Sequence, residues 1–84
     1  MPTPVCPPEL RRLRMDGHVR LAYVIGADGR AERGSIRILR SNHDAVLEPA
    51  VRLVRLARFE PARRAGQAVR MHNEHRITFQ YRGP

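Results

Sequence analysis

Eighty-four residues make one small domain, with a modest core, room for about two layers and marginal stability. The net charge is +8 and all sixteen basic residues are arginine, spread along the chain; such a balance attracts polyanions or acidic protein faces and otherwise reads as a solvated basic surface. One cysteine, Cys6, excludes an intramolecular disulfide, and no apolar run approaches the roughly 20 residues of a membrane helix.

The opening Met1-Pro2-Thr3-Pro4 lacks the apolar segment of a signal peptide. The chain therefore reads either as cytosolic or as a piece of a longer exported protein. Pro2, Pro4, Pro7 and Pro8 suit a stiff, extended segment, so residues 1–8 read as the end of a Pro-rich linker and 9–84 as the domain. Cys6 reads as a small apolar filler. Pro7 to Met15 is predicted to be a short helix, with prolines in its first turn and Leu10 and Leu13 on one side. Asp16-Gly17 is expected to end it, glycine being the usual residue just past a helix.

His18 to Ile25 alternates: Val19, Leu21, Tyr23 and Ile25 share one face and His18, Arg20, Ala22 and Val24 the other. Period two with β-branched and aromatic residues predicts a half-buried strand. Ala27-Asp28-Gly29-Arg30 is a hairpin signal, because Asp-Gly supplies positive φ angles. The second strand is expected over Ala31 to Arg40, with Ile36 and Ile38 inward, Arg37 and Leu39 outward, and Gly34 at a bulge. Ser41-Asn42-His43-Asp44 is a polar turn. Val46, Ala50, Leu53, Val54 and Ala57 then recur at helical spacing, with Arg52, Arg55 and Arg58 on the wet side. Pro49 is tolerable only in a first turn, which places the helix start near Val46.

Phe59 to Val69 reads as a fixed connector: Phe59 anchors the helix end in the core, Pro61 stops the helix and Gly66 turns the chain into the next strand. The third strand is expected from Val69 to Tyr81, where Ile77, Phe79 and Tyr81 alternate with Arg76, Thr78 and Gln80. Its first half, Arg70 to His75, reads as exposed or bulged. The order helix-strand-strand-helix-strand gives an α+β fold: two helices on one face of a three-stranded antiparallel sheet of order 2-1-3. Both outer strands are then edges.

Catalytic chemistry has little support. His72 and His75 are three apart, a spacing that suits a metal only on a helix; on a strand it sends them to opposite faces. Cys6 has no histidine nearby in sequence. The glycines form no phosphate-binding pattern. No catalytic, cofactor or metal residue is assigned. A pI near 11.5 raises the question of nucleic acid, but single-strand binders need aromatic platforms, and Tyr23, Phe59, Phe79 and Tyr81 all fall on predicted core faces. Strand addition fits better. An edge strand offers unpaired N–H and C=O groups that an extended peptide can complete. The third strand is the better edge, its charges discouraging aggregation while its backbone stays open.

The connector, together with Cys6-Pro7, Gly17-His18-Val19, Asp28-Gly29-Arg30 and Ser41-Asn42 at their intervals, resembles the C-terminal domain of the TonB family of periplasmic energy transducers, from about Val5 to Tyr81. The resemblance implies a non-enzymatic domain whose third strand pairs with the TonB box, a short segment near the N-terminus of outer-membrane receptors. It also implies force transmission for active transport such as siderophore uptake, powered by an inner-membrane motor complex reached through an N-terminal membrane helix and linker. It places the domain in the periplasm, tethered to the inner membrane. The matching binding residues are Asn73, Glu74, His75, Arg76, Ile77, Thr78, Phe79 and Gln80, with Thr3, Pro4 and Val5 ahead of the Cys6-Pro7 pair. The sequence departs from the family pattern at Cys6, where a tyrosine is usual, and at Ala57, where a bulky aromatic is common; the Gly66–Ile77 region is also long. Alternatives are a module of the same fold that binds the anionic cell wall or another periplasmic protein, and a small basic nucleic-acid binder. The edge strands and Cys6 also allow homodimers.

Overall fold

A computed structural model of the chain describes residues 4–83. A short helix α1 (Pro8–Leu13) leads into strand β1 (Gly17–Ile25). A hairpin and a 3-10 turn (Arg33–Ser35) return the chain as β2 (Arg37–Ser41), and a second 3-10 turn (Asp44–Val46) opens helix α2 (Leu47–Leu56). Two three-residue strands, β3 (Ala62–Arg64) and β4 (Gln67–Val69), precede the long β5 (Met71–Phe79). The main sheet is antiparallel with order β2-β1-β5, and β3 and β4 form a small sheet of their own. The α+β class and the expected 2-1-3 order are therefore present.

The helical layer is mainly α2; α1, a turn and a half, buries only Leu10. The core is one face of the sheet closed by these helices. Val19, Leu21, Tyr23 and Ile25 of β1 and Ile77 and Phe79 of β5 meet Leu10, Val46, Ala50 and Val54, with Cys6 at the margin. The alternation that sets β1 is thus the alternation that fills the core. Among the described residues no helix covers the opposite sheet face: His18, Arg20, Glu74, Arg76 and Thr78 are exposed there. Val24 is the exception on that face and is buried. Its N–H donates to the Ser35 hydroxyl and its carbonyl accepts from the Glu32 N–H, so the 3-10 turn folds against it.

Several expected details change. Helix α1 ends at Arg14, which itself takes the left-handed conformation (φ 55). Gly17 instead begins β1 and is needed for space: a Cβ there would collide with Val46 and lie 2.6 Å from a Leu10 methyl. The second strand does not run from Ala31 to Arg40. The 3-10 turn interrupts it, Gly34 lies in that turn, and the bulge sits later, where Arg20 faces Arg40 and Leu21 faces Ile38, leaving Leu39 unpaired. Ile36 does pack on the core. Ile38 shares the helix side with Leu21 but is exposed, because β2 is the rim and the helices do not reach over it.

Helix α2 ends at Leu56, well before Pro61. Its cap, Ala57, is extended and buried, and the Phe59 N–H donates to the Gly29 carbonyl (2.7 Å) instead of continuing the helix. Gly29, at φ +81, leaves no room for a side chain beside the Phe59 carbonyl, and the Phe59 ring stacks at a tilt on Tyr23 (5.6 Å). The connector is therefore clamped to the first hairpin. It is also not a plain loop: β3 and β4 are joined by Ala65 and Gly66, both at positive φ, the conformation of a two-residue type I′ hairpin. The Arg70 guanidinium then binds the Glu32 carboxylate (2.6 and 2.8 Å), which holds that carboxyl below its ordinary range. Strand β5 is regular over its whole length and stops at Phe79, leaving Tyr81 outside it; its first half is exposed but not bulged.

Candidate functional site

The lateral rim of β5 is the open side of the main sheet: β1 lies along one side and no other strand of the described chain lies along the other. Which backbone groups face out follows from the hydrogen bonds of β1. The N–H and C=O of His18 and Val24 point toward the β2 side, where they meet Asn42, Ser35 and Glu32. In an antiparallel ladder both groups of one residue point the same way and neighbours alternate. The odd-numbered residues of β1, from Gly17 to Ile25, therefore bond to β5. Their partners are Phe79, Ile77, His75, Asn73 and Met71. The backbone groups of His72, Glu74, Arg76 and Thr78 are left facing outward, a row of donors and acceptors at every second residue without a backbone partner among the described residues.

The predicted site residues thus separate into two sets. Glu74, Arg76 and Thr78 combine outward backbone with exposed side chains. Asn73, His75, Ile77 and Phe79 turn their backbone to β1 and their side chains to the helix side, where Ile77 and Phe79 are core. Gln80 is exposed just past the strand, where the next residue, Tyr81, donates its N–H to the Asp16 carboxylate (2.7 Å). Pro4 and Val5 line an open cleft of about 690 Å³ together with Gln80, Tyr81 and Arg82, so the structure brings the N-terminal pair to the end of the β5 rim and not to its middle. Thr3 lies outside the described residues. His72 shares the outward placement of Glu74, Arg76 and Thr78 and was not among the expected residues; the i, i+2 pattern from Arg76 and Glu74 back to His72 was the available signal.

Behind the rim, Asn73 and His75 hold a polar network. The Asn73 amide donates to the Tyr23 hydroxyl (3.0 Å), which lies 2.9 Å from His75 Nδ1. With Asn73 donating to its oxygen, the Tyr23 O–H is free to donate to a neutral His75. Burial pushes the Tyr23 hydroxyl pKa up and the His75 pKa down, so both side chains favour their uncharged forms and the network is complete in that state. Cys6 is buried, with its sulfur 4.0 Å from the Met15 carbonyl oxygen. Among the described residues no group of three or more histidine, cysteine or acidic side chains is placed to hold a metal, and no helix is long and apolar enough to cross a membrane.

The family model of the Gram-negative bacterial TonB protein C-terminal region matches residues 2–81. The chain belongs to this family. The TonB C-terminal domain is a periplasmic, non-catalytic binding domain, and members of the family generally interact with outer-membrane receptors. The match takes in α1, both sheets and the whole β5 rim. Comparison with curated proteins finds no match.

Proposed function

We propose that this TonB-family domain grips the TonB box of an outer-membrane receptor by adding it as a further strand on β5, and passes on force for active transport. The observation that carries this reading is the unobstructed rim of His72, Glu74, Arg76 and Thr78 in a chain of this family. A docked peptide completes those backbone groups, and its alternate side chains meet the exposed side chains of the rim, so affinity comes from the ladder and choice from the side chains. Pro4 and Val5 extend the contact at the Gln80 end. Strand β5 is bonded to β1 along nine paired residues, so a load applied to an added strand enters the sheet through a continuous ladder. No bond chemistry is involved. The load itself comes from an inner-membrane motor complex, through an N-terminal tether that holds the domain in the periplasm.

Titration of isotope-labelled domain with a synthetic TonB-box peptide, followed by amide NMR, tests the reading. Saturable shifts are expected first at His72, Glu74, Arg76 and Thr78. Saturable binding whose shifts leave β5 untouched would contradict it.

A further inference from the structure

The open sheet face contains an arrangement of which strand addition uses only one member, the Arg76 side chain. Register places Arg40 of β2 and Arg76 of β5 directly opposite Arg20 of β1, one on each side. Three guanidinium groups therefore stand in one cross-strand row, with neighbouring strands only about 4.8 Å apart. Like charges directly opposite each other destabilise a sheet. The row is only partly compensated. Arg20 binds the Glu74 carboxylate (2.7 Å), while among the described residues neither Arg40 nor Arg76 has a side-chain hydrogen-bond or ion-pair partner. Arg37, opposite Ala22 in the next row, adds a further positive charge to the same face. The row lines an open dish of about 430 Å³, completed by His18, Ser41 and Asn42.

We infer that this dish is a binding site for a phosphomonoester group. Guanidinium forks match phosphate and carboxylate oxygens in pairs. A carboxylate offers two oxygens, enough for two forks at most; a phosphomonoester offers three and two negative charges, enough to engage Arg20, Arg40 and Arg76 together. Binding there neutralises a repulsion that the unliganded sheet bears, and a locally unfavourable placement in an otherwise consistent fold marks a functional position. Arg76 is common to this site and to the β5 rim, but Arg20 and Arg40 lie off the rim and the ligand sits on the face of the sheet, not beside it.

The probe is glycerol 3-phosphate, titrated into labelled domain at about physiological ionic strength. Saturable shifts are expected at the amides of Arg20, Arg40 and Arg76. Arg40→Gln and Arg76→Gln are each expected to weaken binding by about tenfold or more, and the double variant to abolish it. Vesicles containing phosphatidic acid carry the same group in a membrane. Effects at the same three arginines with vesicles alone assign a lipid headgroup, and effects with glycerol 3-phosphate alone or with both probes assign the phosphate ester itself; each supports the site. Shifts spread evenly over arginines elsewhere, such as Arg52, Arg55 and Arg63, or a double variant that binds like the parent, would overturn it. The unliganded protein gives a second readout: Arg40→Gln should raise the thermal midpoint at low salt, and the gain should vanish at high salt. A fall in midpoint would show that the row is not strained.

Discussion

The sheet has two rims, and they are built differently. Strand β2 is five residues long, follows a 3-10 turn and carries the Leu39 bulge. Strand β5 is nine residues long and pairs with β1 without a break. Short length and bulges are the usual means of stopping a rim from pairing with another chain. They are applied to β2 and withheld from β5. On β5 only exposed polar and charged side chains, His72, Glu74, Arg76 and Thr78, discourage casual pairing, and these leave the backbone accessible. The contrast between the rims, more than the charge of the chain, is what favours β5 over β2 for the proposed partner strand.

The largest expected effect separates the two sides of β5 itself. Ile77→Pro removes an N–H from the β1 ladder and truncates a core side chain, a change that by itself costs about 2–5 kcal/mol, so it should unfold the domain. Thr78→Pro removes an N–H that faces outward, a position where an edge strand tolerates proline. It should leave the circular dichroism spectrum folded while peptide binding is lost. Equal damage from both substitutions would show that the inward and outward assignments are wrong.

A smaller effect is expected from repairing the blunted rim. Deleting Leu39 brings Ile38 and Arg40 into unbroken register with Leu21 and Arg20. Strand β2 would then become a second regular rim, and sedimentation should show stronger concentration-dependent self-association than that of the parent chain. A strictly monomeric deletion variant would mean that the bulge is not what keeps β2 unpaired.

The smallest effect is a pH dependence behind β5. Burial lowers the His75 pKa in the folded state, so below its ordinary value near 6.5 the unfolded chain binds more protons than the folded one. Stability should be full above that value and decline as pH falls through it toward the lower folded pKa. His75→Gln should flatten this decline, as read from urea midpoints at pH 7.5 and pH 5. A parent midpoint that does not move between those values would contradict the burial of His75.

Much of this could be read from residue order. The period of two in Val19–Ile25 and in Ile77 and Phe79 places β1 and β5 because each buries chiefly one face, Val24 excepted. The spacing of Val46, Ala50, Val54 and Ala57 places α2 for the same reason. Where burial does not impose a pattern, legibility fails. Ile36 and Ile38 suggest an inward alternation, yet β2 is a rim beyond the helices, so Ile38 is left in solvent. The β3–β4 hairpin escaped notice because Arg63, Arg64 and Gln67 show no apolar alternation and its turn begins at Ala65, a residue that seldom takes positive φ. Arg14 hides the end of α1 in the same way, which made Gly17 look like the helix stop. At the candidate site, resemblance and polarity direct attention to the span Asn73 to Gln80, which the structure places on or just past the β5 edge. Which of those residues would lend backbone to a partner was not legible, because that depends on which side of β1 bonds to β5. The arginine row was equally invisible: Arg20, Arg40 and Arg76 are far apart in sequence and meet only through register.

Hydrogen exchange of the β5 amides, with and without TonB-box peptide, tests the central claim most directly. Free, the amides of His72, Glu74, Arg76 and Thr78 should exchange quickly while those of Asn73, His75 and Ile77 exchange slowly; with peptide, the fast set should become protected. Uniform slow exchange along β5 before any peptide is added, or a fast set that the bound peptide leaves unprotected, would contradict an open rim that receives a partner strand.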